Sequence, residues 1–321
     1  MSIVAHLIAE AEALESAGRP GEALQKWRAA ADLERTPEIV ARLGRLCSLE
    51  GHDDEAERIL LQVISRNPSY PDARFFLGFH YKRSGRLEAA RTQLEAGLGL
   101  LEWGPAFTVL GEVYRELDLV DAARDAFETA ARLDASDSEA WYGLGLTYRF
   151  EDTAKATELF RRSVNADSQH VAAHRELGHM YWRAGDLRLA EKSVRTAISL
   201  DPRDAWAHYY LGQILLSLGD PSQAQPEFEV AIKMLPDVAL LYCGLGDALA
   251  RRDLMQAAEM TYAKALILDV GGYLANLRYG QILAEKGLLT KALTYAERAL
   301  KARPTDHRAQ ELIARLKRSM Q

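Results

Sequence analysis

A short pattern of residues recurs along the chain with a nearly constant period, and this repeat restricts the possible folds more than any other feature. The full pattern consists of Leu-Gly, a Tyr or other apolar residue, two alanines flanking a large apolar residue, and a final Pro, although not every copy carries all of it. In the clearest copy these residues are Leu177, Gly178, Tyr181, Ala190, Val194, Ala197 and Pro202. The next copy begins 34 residues later, at Leu211. A period of this length indicates a stack of similar supersecondary units rather than one globular core.

Each unit contains two patterns of helical period. Apolar or small residues fall at relative positions 4, 7, 8 and 11, and again at positions 20, 24 and 27, which is the spacing of one face of a helix. The turn between the two patterns holds a Gly that supports the left-handed backbone at a helix end in five units, at Gly51, Gly85, Gly185, Gly219 and Gly287. A proline that cannot continue the second helix follows it at Pro68, Pro202, Pro236 and Pro304. The sequence therefore predicts an all-α array of helix pairs.

The pattern divides residues 1–321 into nine units and a final single helix, predicted to form one continuous array. The units begin near Val4, Pro37, Pro71, Gly104, Ser138, Val171, Ala205, Ala239 and Tyr273. Residues 306–320 read as a capping helix, with Leu312, Ile313 and Leu316 facing the last unit. The turn of the fifth unit lacks Gly, and Asp152 is expected to cap the helix that follows.

These motifs resemble the tetratricopeptide repeat family, and the resemblance covers nearly the whole chain. It implies a right-handed α-solenoid superhelix in which the first helix of each pair lines a concave, peptide-binding groove at positions 2, 5, 6 and 9. The candidate groove residues are Phe75, Phe76, Phe79, Tyr142, Arg175, His179, Trp206, Tyr209, Tyr210, Gln213, Asp247 and Arg278. Aromatic rings are common anchors of binding surfaces, and the charged members would set the polarity of the bound segment. The alternative is that some of these rings pack between neighbouring repeats.

The same positions argue against two activities known in the family. None of them holds Lys or Asn, so neither the carboxylate clamp of chaperone-binding members nor the Asn ladder of sugar-transferring members is expected. No Ser/His/Asp or Cys/His arrangement falls on a common turn, which predicts a protein that is not an enzyme and needs no cofactor. His170, His174, His179 and His208 are expected to be packed side chains rather than metal ligands.

Composition excludes several further classes of function. The net charge of −6 and the pI near 5.8 argue against nucleic acid as a partner. No apolar run approaches the roughly 20 residues of a membrane span, so no membrane insertion is expected. The first residues lack the pattern of a signal peptide, and Cys47 and Cys243 lie in distant repeats that should not form a disulfide. We therefore expect a cytoplasmic protein.

Three functions are consistent with these features. The leading hypothesis is a non-enzymatic scaffold or adaptor that binds a peptide segment of a partner protein along the concave groove. The second is a self-assembling structural protein that associates through Ile3, Val4, Leu7 and Ile8 of the first repeat, although these residues could equally face repeat two. The third is an accessory subunit of an enzyme carried on a separate chain.

Overall fold

The computed structural model describes residues 2–321, which form 19 α-helices and, within that range, no β-strand. This confirms the prediction of an all-α repeat array. The chain divides into two compact units, one ending at Ser168 and the other beginning at Gln169. The prediction of a single continuous array over the whole chain stays a prediction.

The first unit contains five helix pairs. Its first helices are α1 Ile3–Ser16, α3 Pro37–Leu49, α5 Pro71–Arg83, α7 Gly104–Glu116 and α9 Ser138–Tyr148. Its second helices are α2 Pro20–Leu33, α4 Asp53–Arg66, α6 Leu87–Leu98, α8 Val120–Leu133 and α10 Thr153–Ala166.

The second unit contains four helix pairs and a final helix. Its first helices are α11 Val171–Ala184, α13 Ala205–Leu218, α15 Ala239–Arg251 and α17 Tyr273–Glu285. Its second helices are α12 Leu187–Leu200, α14 Pro221–Met234, α16 Met255–Leu268 and α18 Leu289–Ala302, and α19 spans His307–Ser319. On α19, Leu312, Ile313 and Leu316 are buried, as predicted for its inner face.

In each unit, first helices form one wall. Within a unit, every first helix packs against its own second helix, and each second helix packs against the helix that follows it in the same unit. Successive first helices also touch, as α3 does with α5 and α11 does with α13. Second helices make no comparable contact with one another in the part of the chain described here. The wall of first helices is therefore the closely spaced, inner side of each unit.

Small residues set the distance between the two helices of a pair. All nine alanines at position 20 are fully buried: Ala23, Ala56, Ala90, Ala123, Ala156, Ala190, Ala224, Ala258 and Ala292. Opposite Ala190, a β-carbon on Gly178 would lie 2.3 Å from Val194 Cγ2 and 3.1 Å from the Ala190 carbonyl oxygen. A larger residue at either position would push the pair apart.

The turns inside the pairs follow the predicted backbone. The five predicted glycines have positive φ angles between 73° and 86°, which confirms their left-handed conformation. Asp118 and Asp253, with φ of 60° and 61°, occupy the corresponding place in repeats four and eight, where no Gly is available. The Asp152 side chain accepts a hydrogen bond from the Lys155 amide at 2.9 Å, so this residue caps α10 as predicted.

None of the helices formed by residues 2–321 has the length and apolar content needed to cross a membrane. Cys47 and Cys243 are both buried free thiols.

Candidate functional site

The first-helix wall of the first unit contains a groove with a volume of about 520 Å³. It lies between α3 and α5 and is closed on one side by the connection from α6 to α7. We call it the aromatic groove, and its lining residues are Arg42, Arg45, Ser48, Leu49, Asp72, Phe76, Phe79, Arg83, Leu101 and Trp103.

Three rings form the apolar floor of this groove. Phe76 and Phe79 are three residues apart on α5 and so lie on the same helix face. Trp103 is the residue that precedes α7, and its ring centroid is 5.9 Å from that of Phe79. The solvent-exposed fraction of Trp103 is 36%, whereas that of Phe76 is 7%. Trp103 is therefore more accessible to a ligand than Phe76.

Phe75, the third aromatic residue predicted for this groove, belongs to the core instead. It is 0% exposed and its ring lies 5.2 Å from that of Trp103. A β-carbon on Gly97 of α6 would lie 2.6 Å from the Phe75 Cε1 atom, so the ring fills the space that this glycine leaves. Phe75 supports the floor from below and is not available to a partner.

Three arginines surround the floor and differ in their partners. Arg45 forms an ion pair with Glu15, and its guanidinium lies 5.7 Å from the centroid of the Phe76 ring. Arg83 forms an ion pair with Asp53. Within residues 2–321, Arg42 has no carboxylate in ion-pair contact, and its Nε atom is buried without a hydrogen bond.

Among the residues described, Asp72 is the one carboxylate that lines the groove, and it already accepts a hydrogen bond. The Tyr70 hydroxyl donates a hydrogen bond to Asp72 Oδ2 at 3.2 Å. The lining therefore carries three positive charges against one negative charge, in a chain whose net charge is −6.

A serine and a histidine meet at the back of the groove, although they lie on different helices. Ser48 Oγ is 3.0 Å from His80 Nδ1, and Arg86 Nη2 is 3.2 Å from His80 Nε2. Because a guanidinium can only donate, Nε2 is the acceptor and Nδ1 carries the proton that it donates to Ser48. His80 is therefore not oriented to take the proton of the serine, as an activated nucleophile would require. Burial lowers the pKa of His80 below its ordinary value.

Two lining residues of the groove that our prediction missed could have been found from their positions in the repeat. Arg42 and Arg45 occupy positions 6 and 9 of repeat two, so the same positional rule points to them. Leu101 and Trp103 lie in a connection outside the repeat pattern, and periodicity could not indicate their contribution. Tyr142, predicted for the groove, lies on α9 near Phe160 and does not line the aromatic groove.

In the second unit, the charged residues predicted for the groove pair with neighbours on the wall. Arg175 donates to Asp204 at 2.6 Å. Arg278 Nε lies 3.0 Å from Asp247 Oδ1, and the Tyr262 hydroxyl donates to the same oxygen at 2.5 Å. These contacts neutralise the side chains that were predicted to orient a ligand.

The aromatic residues predicted for the second unit also split between core and wall. Tyr209 is 7% exposed and packs at 5.8 Å from Phe228, so it is a core residue, and burial raises its pKa. Tyr210 is half-buried and stacks on His179 with ring centroids 4.5 Å apart. Trp206 and Gln213 are half-buried on the same wall.

The residues predicted for self-association lie on α1. Val4, Leu7 and Ile8 are partly buried and pack against the core of the first unit, which is the alternative that the sequence left open. Ile3 is 74% exposed. The helix thus presents one large apolar side chain of this set to its surroundings.

No group of three or more His, Cys, Asp and Glu side chains within residues 2–321 is arranged to hold a metal ion. Both ring nitrogens of His208 are within hydrogen-bond distance of a protein oxygen: Nδ1 lies 2.6 Å from Glu227 Oε2, and Nε2 lies 3.2 Å from the Pro202 carbonyl oxygen. Burial raises the pKa of the Cys243 thiol to about 12.

Comparison with solved structures finds arrays of the same kind. The crystal structure of the APC/C hetero-tetramer Cut9–Hcn1 aligns with a TM-score of 0.66 and 14% identity, covering 98% of this chain and 76% of that one. PilF of Pseudomonas aeruginosa aligns with a TM-score of 0.57 and 19% identity, over 66% of this chain and 97% of that one. A tetratricopeptide repeat protein of Parabacteroides merdae has a TM-score of 0.57 and 18% identity, over 78% and 100% of the two chains. At these identities the likeness concerns the fold alone.

Comparison of sequences points the same way. A stretch of 134 residues is 25% identical to human protein O-mannosyl-transferase TMTC1 and covers 40% of this chain but 15% of that protein. The match thus spans a small part of that relative. The tetratricopeptide repeat family matches residues 50–100, 108–171, 175–221, 211–272 and 261–307. Because these segments together include most of the repeats, the chain belongs to the tetratricopeptide repeat family.

Proposed function

We propose that this protein is a non-enzymatic scaffold that binds a segment of a partner protein in the aromatic groove. The observation that carries the proposal is the open floor of Phe76, Phe79 and Trp103 on the inner wall of the first unit. Aromatic rings and arginines in a partly desolvated pocket are the residues that most often dominate binding energy. A groove of this volume can bury one or two large side chains of a ligand.

The absence of enzymatic activity in this proposal rests on the chemistry of the groove. Its serine faces a histidine nitrogen that carries a proton, so the pair provides no general base. The remaining lining groups are apolar side chains, arginines and an aspartate that already accepts a hydrogen bond. They can hold a ligand but do not form a nucleophile and base pair.

The test compares two aromatic residues on the inner walls of the two units. Peptides are selected on the purified protein from a random display library, and their affinities are then measured for Phe79→Ala and Trp206→Ala variants. We expect Phe79→Ala to weaken binding about thirtyfold, because it removes a central anchor, and Trp206→Ala to leave it unchanged.

Circular dichroism should show equal helicity for both variants. Equal affinities for wild type and Phe79→Ala, or a loss confined to Trp206→Ala, would reject the aromatic groove as the binding site. Failure to select any peptide would reject the proposed function itself.

A further inference from the structure

The aromatic groove holds one positive charge that the protein does not neutralise. Arg45 and Arg83 are each paired with a carboxylate from outside the lining, Glu15 and Asp53. Arg42 lines the same groove and is half-buried, and no described residue supplies it with a carboxylate. Glu38, one turn earlier on α3, is exposed and forms no ion pair with Arg42 within residues 2–321.

A half-buried guanidinium without a carboxylate partner favours an anionic ligand. Removing an arginine from water is unfavourable unless its N–H groups find acceptors, and its planar fork matches a carboxylate best. Asp72 cannot supply that acceptor at its present position, because it lies outside ion-pair contact with Arg42 and accepts from Tyr70. A carboxylate of the occupant of the groove can supply that acceptor.

The position of the charge relative to the rings defines the order of groups in the occupant. Arg42 lies one turn before Arg45 on α3, and the Arg45 guanidinium is above the Phe76 ring. Phe79, Leu101 and Trp103 form the rest of the apolar lining of the same groove. An acidic side chain at Arg42 would thus place a neighbouring large apolar side chain over these rings.

We infer that the groove binds an acidic segment of a partner protein, in which an Asp or Glu pairs with Arg42 and a nearby Phe, Leu or Met covers Phe76, Phe79 and Trp103. The inference rests on the proposed function, since it names the chemistry of the segment bound in the same groove. Arg42 is the one arginine of the lining that has no carboxylate in ion-pair contact among the described residues, and this unpaired charge is the complementarity that selects an acidic ligand.

The experiment uses synthetic peptide pools of equal length on the full chain. One pool carries an acidic residue beside a large apolar residue, a second has the corresponding amide in place of the acid, and a third has Ser in place of the apolar residue. We expect the acidic-apolar pool to bind wild type about tenfold more tightly than the amide pool, because the amide forms no charge-assisted pair. The Ser pool should bind more weakly than the acidic-apolar pool, and added salt should reduce the preference for acid over amide.

Variants of Arg42 test whether this residue pairs with the acidic group of the peptide. Arg42→Gln should remove the preference for acid over amide while leaving the affinity for the amide pool unchanged, and Arg42→Lys should keep part of it. Arg58→Gln is the matched control, since Arg58 is an exposed arginine on α4 that does not line the groove. Glu38→Gln should strengthen acidic binding by removing a nearby negative charge.

The outcomes separate this inference from the proposed function. If Phe79→Ala weakens binding but acid and amide pools bind wild type equally, the acidic preference is wrong and the groove is still the binding site. If the preference persists in Arg42→Gln, Arg42 does not pair with the acid and the inference is wrong. If no pool binds, both proposals are wrong. If sedimentation shows a dimer that Arg42→Gln dissociates, the occupant is a second copy of this chain, which overturns the partner assignment.

Discussion

His80 joins the groove to the core of the first unit. It is fully buried on α5, where its Nδ1 proton bonds to Ser48 and its Nε2 accepts from Arg86. Asp53 and Glu57 favour a charged ring, whereas burial, Arg86 and Arg83 oppose it. Burial is the largest of these effects and lowers the pKa of His80. The native state therefore holds this histidine neutral.

The lowered pKa predicts a loss of stability in mild acid. Between the folded pKa of His80 and the unfolded value of about 6.5, the unfolded chain binds more protons than the native chain. The contribution of His80 to the free energy of unfolding is thus complete above about pH 6.5, and it is lost as the pH falls toward the pKa of His80 in the folded state. A His80→Gln variant should show a smaller drop in its urea midpoint between about pH 7.5 and about pH 5.5 than wild type.

His307→Gln serves as the control, because His307 is an exposed residue on α19. This variant should keep the pH dependence of wild type. An unchanged drop in His80→Gln would show that His80 does not contribute to the acid sensitivity.

At the scale of elements, the turn between paired helices holds one residue in the left-handed conformation in every repeat except the fifth. Gly185 ends α11 with a φ of 86°, and a β-carbon there would meet no atom within 4 Å. In repeats four and eight, Asp118 and Asp253 adopt the same kind of backbone. Asp tolerates this conformation better than most residues with a β-carbon, but less well than Gly.

We expect Gly185→Ala to destabilise the protein by about 1 kcal/mol, because the cost is conformational and no clash adds to it. Chemical denaturation monitored by circular dichroism measures the change. Asp118→Gly is the reciprocal substitution and should not destabilise the turn. Equal stability of Gly185→Ala and wild type would mean that the turn relaxes away from its positive φ.

At the scale of the whole molecule, stability is a sum of neighbouring contacts. Within each of the two units, a helix touches the next one or two helices along the chain, and no contact between distant repeats of the same unit is found among the described residues. Arrays of this kind respond locally to a local change. On α19, Leu316 contributes to the cluster that includes Leu277 and Leu283 of α17.

Leu316→Glu should place an unpaired charge in this cluster and cost at least about 2 kcal/mol locally. Hydrogen exchange followed by mass spectrometry should show faster exchange in α17 to α19 and no change in α1 to α6. Arg315→Glu is the control, since Arg315 is exposed on the same helix. A uniform increase in exchange along the chain would contradict the local description.

The repeat pattern alone determined the helical class, the places of five left-handed turns and the apolar faces of the pairs. Spacing was sufficient to assign Leu312, Ile313 and Leu316 to the inner face of α19, and to assign the five turn glycines to positive φ. These features depend on residues within one helix or one turn, so a local periodicity is enough to specify them.

The tertiary structure decided which of the predicted groove residues reach a ligand. Phe75 and Tyr209 both occupy position 5, yet both are buried. Gly97 on α6 leaves space for the Phe75 ring, and Phe228 on α14 packs against the Tyr209 ring. Trp103 enters the groove from a connection, and Arg42 is distinguished only by the absence of an ion pair among the described residues. Such contacts join side chains from different helices, as Ser48 and His80 do across 32 residues of sequence. The period of a single helix carries no information on them.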